Sequence, residues 1–235
     1  MTSHETDHPR SPRASQRAPG TGGSPAVAAD YAWAEEDAGG LFSAYCLTLV
    51  RGIAPDEFMR RLGARILYDA MPLDERFLQT SFEYWDAPHY GDVQFIGAMS
   101  VPGDDGDWTL AYEMNGHLGV TPDVILPVSA ETRLVSHRYN DGNAHGSFMW
   151  AEDGDVQVEF EPLFAHHREG GTPDALLEDM RQIGFVLDPD TEDIGPTTSG
   201  ALALSERLTG VRVTEELLNG ATLLCGEAAD VRRGS

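Results

Sequence analysis

The sequence predicts an α+β domain: an antiparallel sheet of about five or six strands with helices packed on one side, most of them C-terminal. Three observations carry that reading. Residues 92–161 alternate short β-forming runs with turn residues. Residues 41–50 (LFSAYCLTLV) are almost continuously apolar and rich in β-formers, the pattern of a central strand buried on both faces. After Thr172 the apolar spacing becomes helical, and glycines close the runs.

The elements follow in order. Residues 1–30 are rich in Pro, Gly, Ser, Thr and Arg, and Val27 is their only large aliphatic side chain after Met1. Such a stretch buries too little apolar surface to offset its ordering entropy, so a disordered tail is expected before a single domain over residues 31–235. Pro55 at a first helical position, Asp56 and Glu57 in the first turn, and Arg60 and Arg61 before Gly63 predict a short helix over 55–62. Another helix is expected over 74–82 within the otherwise ambiguous stretch 64–90. Residues 93–101 and 107–114 read as strands around a turn at 102–106. Thr121-Pro122-Asp123 begins a helix that Pro127 keeps short. Residues 133–139, 147–151 and 155–161 are three further strands. Thr172-Pro173-Asp174 starts a helix whose Leu176, Leu177, Met180 and Ile183 share one face before Gly184. Residues 201–209 form a helix ending at Gly210, and Thr214 caps a last one carrying Leu217, Leu218, Leu223 and Leu224.

The hairpin between 147–151 and 155–161 admits two registers. A two-residue Asp153-Gly154 turn pairs Trp150 with Gln157 and Phe148 with Glu159, mixing aromatic and acidic side chains on one face. A three-residue Glu152-Asp153-Gly154 loop pairs Trp150 with Val156 and Phe148 with Val158. That places Phe148, Trp150, Val156, Val158 and Phe160 on one buried face. The second register is preferred, because a one-residue slip turns every side chain over and only this one gives a clean core.

Composition narrows the function. The chain has 235 residues, with 39 acidic against 16 basic side chains and a formal charge of −23. Every basic residue is arginine, a usage that matches a GC-rich genome because lysine codons are AT-rich. In the tail Arg10, Arg13 and Arg17 balance Glu5, Asp7 and Asp30, so the whole charge lies on residues 31–235. There is no basic footprint for nucleic acid. Without lysine there is neither a Schiff base nor a GK[ST] phosphate loop. No apolar run of membrane-spanning length occurs and the first thirty residues hold no apolar signal core, so a cytoplasmic setting is expected. Cys46 and Cys225 match no metal or disulfide spacing and are expected to be buried and reduced.

Candidate chemistry gathers at the last hairpin. Glu159 and Glu161 lie two apart on a strand and share a face, and His166 and His167 follow closely. Carboxylates and imidazoles in that order are a candidate metal set, which His137 could join if its strand is a neighbour. The alternative is a solvent-facing edge, since the spacing matches no H-E-x-x-H pattern. Asp188, Asp190 and Glu192 look like the start of a calcium loop, but Asp193 stands where glycine is needed and Ser199 where glutamate is. Neither G-x-S-x-G nor G-x-G-x-x-G occurs, so no catalytic residue and no cofactor is assigned. The last two helices carry only Arg207 and Arg212 against Glu206, Glu215 and Glu216, too little for a recognition helix, and read as packing helices. Trp108, Tyr112, Trp150 and Phe160 alternate along strands as core aromatics do. Asn140, Asp141, Gly142 and Asn143 form a polar turn.

Several runs, taken in order, resemble an uncharacterised domain family found mainly in actinobacteria. They are Trp108-Thr109-Leu110-Ala111-Tyr112-Glu113, Leu118-Gly119-Val120-Thr121-Pro122, Val135-Ser136-His137, Trp150-Ala151-Glu152-Asp153-Gly154 and Glu161-Pro162-Leu163-Phe164. Pro173-Asp174-Ala175-Leu176-Leu177 and Leu204-Ser205-Glu206-Arg207-Leu208-Thr209-Gly210-Val211 complete them. The resemblance covers roughly residues 31–226. It implies a bacterial cytosolic protein and supplies no activity, substrate or catalytic residue.

The expected function is a non-enzymatic acidic domain that binds another protein, a basic one, and neither nucleic acid nor membrane. An immunity-like or regulatory module is the analogy. The alternative is a small-ligand or metal-dependent enzyme with its site near the last sheet hairpin.

Overall fold

The computed structural model describes residues 24–36, 40–86 and 93–229. Residues 1–23 of the expected tail lie outside them. Residues 24–30 are placed: Ala26 is buried, and its carbonyl accepts from Arg207 Nε at 2.7 Å.

Among the described residues nine strands form one antiparallel sheet. They are β1 (Ala44–Arg51), β2 (Arg65–Pro72), β3 (Val93–Gly103), β4 (Gly106–Met114), β5 (Arg133–Asn140), β6 (His145–Glu152), β7 (Asp155–Phe160), β8 (Arg168–Glu169) and β9 (Thr222–Ala229). Their order across the sheet is β2-β9-β3-β4-β1-β5-β6-β7-β8. The helices are α1 (Ala32–Glu36), α2 (Pro55–Leu62), α3 (Glu75–Trp85), α4 (Pro122–Ile125), α5 (Leu177–Ile183), α6 (Thr198–Thr209) and α7 (Glu215–Asn219).

The expected sheet of five or six strands is therefore too small, by β2, β8 and β9. Edge strand β2 is mostly exposed and lacks the alternation that would have marked it. β8 is two residues long. β9 replaces the second half of the expected last helix. Leu217, Leu218, Leu223 and Leu224 fit helical spacing, but α7 stops at Asn219 before Gly220. Leu223 and Leu224 then turn to opposite faces of a strand that joins β2 to β3.

Helices on one side is the second expectation overturned. β1 is buried on both faces as expected, and a doubly buried strand requires two covering layers. Tyr45, Leu47 and Leu49 point into a core with Trp108, Leu110, Tyr112, Phe148 and Phe160, closed by α1, α3, α5 and α6. Val50 points the other way, into a core with Ile96, Ala98, Ala111, Leu134 and Met149, closed by α2, Leu118, Ile125 and Val128. These are called the α6 face and the α2 face below. The two free, buried cysteines share the sheet: Cys225 belongs to the α6 core, and Cys46 contacts Ser136 on the α2 side. Among the described residues no helix is long and apolar enough to cross a membrane.

The β6–β7 hairpin follows neither of the two registers. Glu152 opposes Asp155 around a two-residue turn, with Asp153 at φ 49 and Gly154 at φ 84. Positive φ at both positions matches the right-handed twist of the strands. A bulge at Gln157 then restores the aromatic alignment, Phe148 opposite Phe160 and Trp150 opposite Val158. Val156 falls on the α2 face instead of joining them.

Glycine 119 sets how closely the α2 cover approaches. A Cβ there would stand 2.0 Å from Thr48 Oγ1, 2.7 Å from Ser136 Oγ and 2.8 Å from Cys46 Sγ. Gly119→Ala is expected to cost about 1–3 kcal/mol, the usual range for overpacking a tight core. Urea unfolding checks it: the midpoint should fall with an unchanged m-value, and an unshifted midpoint would contradict this packing.

Candidate functional site

The α2 face is not covered along its whole width. α2 lies over β3, β4 and β9, and the 118–129 segment lies over β1, β5 and β6. Beyond β6 the face opens. Strand alternation decides what is exposed there. Met149 belongs to the α2 core and opposes Glu159, Glu159 opposes Glu169, and Arg138 opposes Ser147. Hence Arg138, Ser147, Glu159 and Glu169 share this face.

The far wall is a reversal built by Glu161-Pro162. Pro162 opens a 3-10 turn through Phe164, the Phe164 N–H donates to the Glu161 carbonyl at 2.9 Å, and the His167 N–H donates to Phe164 at 2.8 Å. The chain returns as β8, and a cleft of about 780 Å³ lies between Val120 and this turn. Glu159, Glu161, His166 and His167, all expected as one site, line that cleft. Arg138, His145, Phe164 and Glu169 line it too.

Two imidazole–carboxylate pairs form within the cleft. His145 Nδ1 lies 3.2 Å from Glu161 Oε1, and His167 Nε2 lies 3.2 Å from Glu169 Oε1. Glu159 is half-buried, and its carboxyl is held above the usual range, first by burial and then by the Glu169 charge. Among the described residues no three His, Cys, Asp or Glu side chains gather closely enough to hold a metal ion. The candidate calcium stretch folds as a local exposed turn, in which the Asp190 N–H donates to Asp188 Oδ1 at 3.0 Å.

A buried carboxylate holds the loop that leads into Val120 at the cleft. Glu113, at the end of β4, is 1% exposed. It accepts from the N–H groups of His117 at 3.1 Å, Leu118 at 3.0 Å and Gly119 at 3.1 Å. These N–H groups stand at the start of a 3-10 turn (Leu118–Val120), so the carboxylate caps it. Arg138 Nε donates to the Gly116 carbonyl at 3.1 Å, tying the same loop to the cleft.

A family of unknown function, DUF6461, matches over residues 24–233. The chain belongs to this family. The resemblance to an uncharacterised family is thus correct in kind. No curated protein and no solved structure matches the chain. Membership in DUF6461 fixes kinship and leaves the chemistry of the cleft to the residues themselves.

His137, the fifth ligand considered for a metal set, takes no part in this DUF6461 cleft. Its neighbours Ser136 and Arg138 face the α2 side, so His137 turns into the α6 core, 1% exposed, with Nδ1 2.5 Å from the Tyr45 hydroxyl. Burial, then the Arg138 charge, pulls it down to about 3. Glu113 is pushed up to about 7 by burial, against the pull of its N–H donors. Sequence reasoning passed over Glu113, although a lone acid ending an apolar strand before Asn-Gly was a usable signal. Glu169, Arg138 and His145 reach the cleft only through strand order.

The two buried groups give opposite pH signatures. Glu113 has a raised folded pKa, so its contribution is full below about 4.5 and is lost as pH rises through about 7. His137 has a depressed one, so its contribution is full above about 6.5 and is lost as pH falls through about 3. The stability difference between Glu113→Gln and the unaltered protein should rise with pH between 4.5 and 7, at most about 1.4 kcal/mol per pH unit. The His137→Gln difference should rise as pH falls from 6.5 to 3. Denaturant midpoints measured across pH 3–8 check both, and parallel curves would refute them.

Proposed function

We propose that this protein is a binding domain whose open sheet face takes up a cationic group of a basic protein partner. One observation carries the reading: Glu159 and Glu169 stand directly opposite on neighbouring strands, and among the described residues no arginine is bound to either. Like charges in direct cross-strand register destabilise a sheet. Arginines are close at hand but committed elsewhere. Arg138 donates to the carbonyls of Gly116 and His145, and Arg168 donates to the Ala165 carbonyl and to Asp174. The cleft therefore holds three glutamates against one arginine, within a chain of formal charge −23. That field speeds encounter with a positive partner and focuses it in a concave site. The setting that fits is an actinobacterial cytoplasm, where both cysteines stay reduced.

A small-ligand enzyme is the second reading, favoured by His145 oriented on Glu161 beside the raised Glu159 carboxyl, a pairing suited to acid–base work. Stoichiometric metal in protein purified without a histidine tag would support its metal-dependent version, and metal-free protein would remove that version.

Titration with short oligo-lysine and oligo-arginine peptides tests the binding reading. Amide shifts should cluster on β7 and β8, and affinity should fall as salt rises. The Glu159→Gln/Glu169→Gln double variant should bind roughly tenfold more weakly while unfolding no earlier, because relief of a like-charge pair adds up to about 1 kcal/mol. Binding should also weaken with falling pH sooner than an ordinary carboxylate would allow, because burial and the Glu169 charge hold the Glu159 carboxyl above its usual range. Absence of any shift at low salt would overturn the reading.

A further inference from the structure

We propose that the cation this cleft selects is a guanidinium, the head group of arginine, rather than an ammonium. The inference deepens the cationic-group reading and rests on it. Three features of the site discriminate between the two heads. Glu159 and Glu169 are cross-strand partners, so their Cβ atoms stand about 4.5–5.5 Å apart on one face. Two carboxylates side by side present a row of acceptors to a planar fork with five donors, whereas an ammonium is a compact, strongly hydrated point charge.

The rim supplies the second feature. Phe164 is 54% exposed at the cleft, and its ring meets His166 edge-on at 6.2 Å and 89°. A large aromatic held out of both cores by a proline-started turn leaves a flat apolar surface beside the carboxylates. Guanidinium stacks on such a face better than ammonium does, because it is planar and more weakly hydrated.

The third feature is size and ligand count. A volume of about 780 Å³ accommodates a whole side chain with flanking backbone. A bare ion does not need that room, and no three-ligand metal group exists among the described residues. Within the protein, Arg133 lies 5.9 Å over the Trp150 ring while bound to Glu152 at 2.8 Å. That is a working example of aromatic face plus carboxylate on the neighbouring strand pair. The guanidinium can belong to an arginine in a protein chain or to a small guanidino compound.

The test uses the full chain and four blocked probes: N-acetyl-arginine amide, N-acetyl-lysine amide, methylguanidine and an end-blocked Gly-Arg-Gly peptide. Amide shifts of β7, β8 and the 161–167 turn give the affinities. The arginine probe should bind roughly fivefold tighter than the lysine probe, the ratio expected of one aromatic stack. Phe164→Ala should reduce that ratio while leaving the unfolding midpoint unchanged, since Phe164 belongs to neither core. Tighter binding of Gly-Arg-Gly than of methylguanidine assigns the source to a protein chain, and equal binding assigns it to a small molecule. Equal affinity for arginine and lysine overturns the guanidinium inference and leaves the cationic-group reading standing. Failure of all four probes to move the cleft amides overturns both.

Discussion

The Glu113 carboxylate is the interaction on which the α2 side of this molecule depends. A charge at the end of a doubly buried strand is costly unless its lone pairs are filled, and three N–H groups fill them. In doing so the carboxylate draws the 116–120 loop onto the sheet. Gly119 then lies against Thr48, Ser136 and Cys46 at distances no side chain could share. The cover that follows, through α4 to Ser129, begins from that fixed point and is long enough to reach β6 and no further.

The cleft follows from where that cover ends. On the α6 face, α5, α6 and Phe185 continue the apolar layer as far as Phe160, so the last strands are sealed there. On the α2 face the cover ends at Met149 and Val156, and alternation fills the positions past it with Ser147, Glu159 and Glu169. One sheet thus presents a dry side and an acidic side at a single edge. The bulge at Gln157 is what permits this. Without it the two-residue turn would bring Glu159 opposite Phe148 and rotate the carboxylate into the dry core.

Much of this was legible in the sequence where local chemistry decides. Pro55, the acids behind it and Gly63 define α2 to the residue, and Gly184 and Gly210 end α5 and α6 in the left-handed conformation. The errors arise where tertiary context decides. β9 reads as helix because its leucines fit both periods, and only pairing with β2 and β3 selects the strand. The doubly apolar 41–50 run already demanded a second helical layer, which a one-sided architecture could not provide. For the site, Glu159, Glu161, His166 and His167 were visible because they are near in sequence. Their partners lie on other strands, and no spacing rule joins Glu169 to Glu159 or Arg138 to Ser147 without the sheet order.

The absence of lysine has a structural consequence beyond its codon origin. Arg61, Arg133, Arg138, Arg168 and Arg207 each donate to at least one backbone carbonyl, and all but Arg138 also hold a carboxylate. Five donors in a fixed fork make that dual role possible, and an ammonium would satisfy it less well. Arginines used this way clasp loops and helix ends while pairing with acids, and with 16 of them against 39 acids most carboxylates still have no cation. Beside Glu159 and Glu169, Arg138 and Arg168 are bound to other groups, which leaves an excess of carboxylate where the sheet face is open.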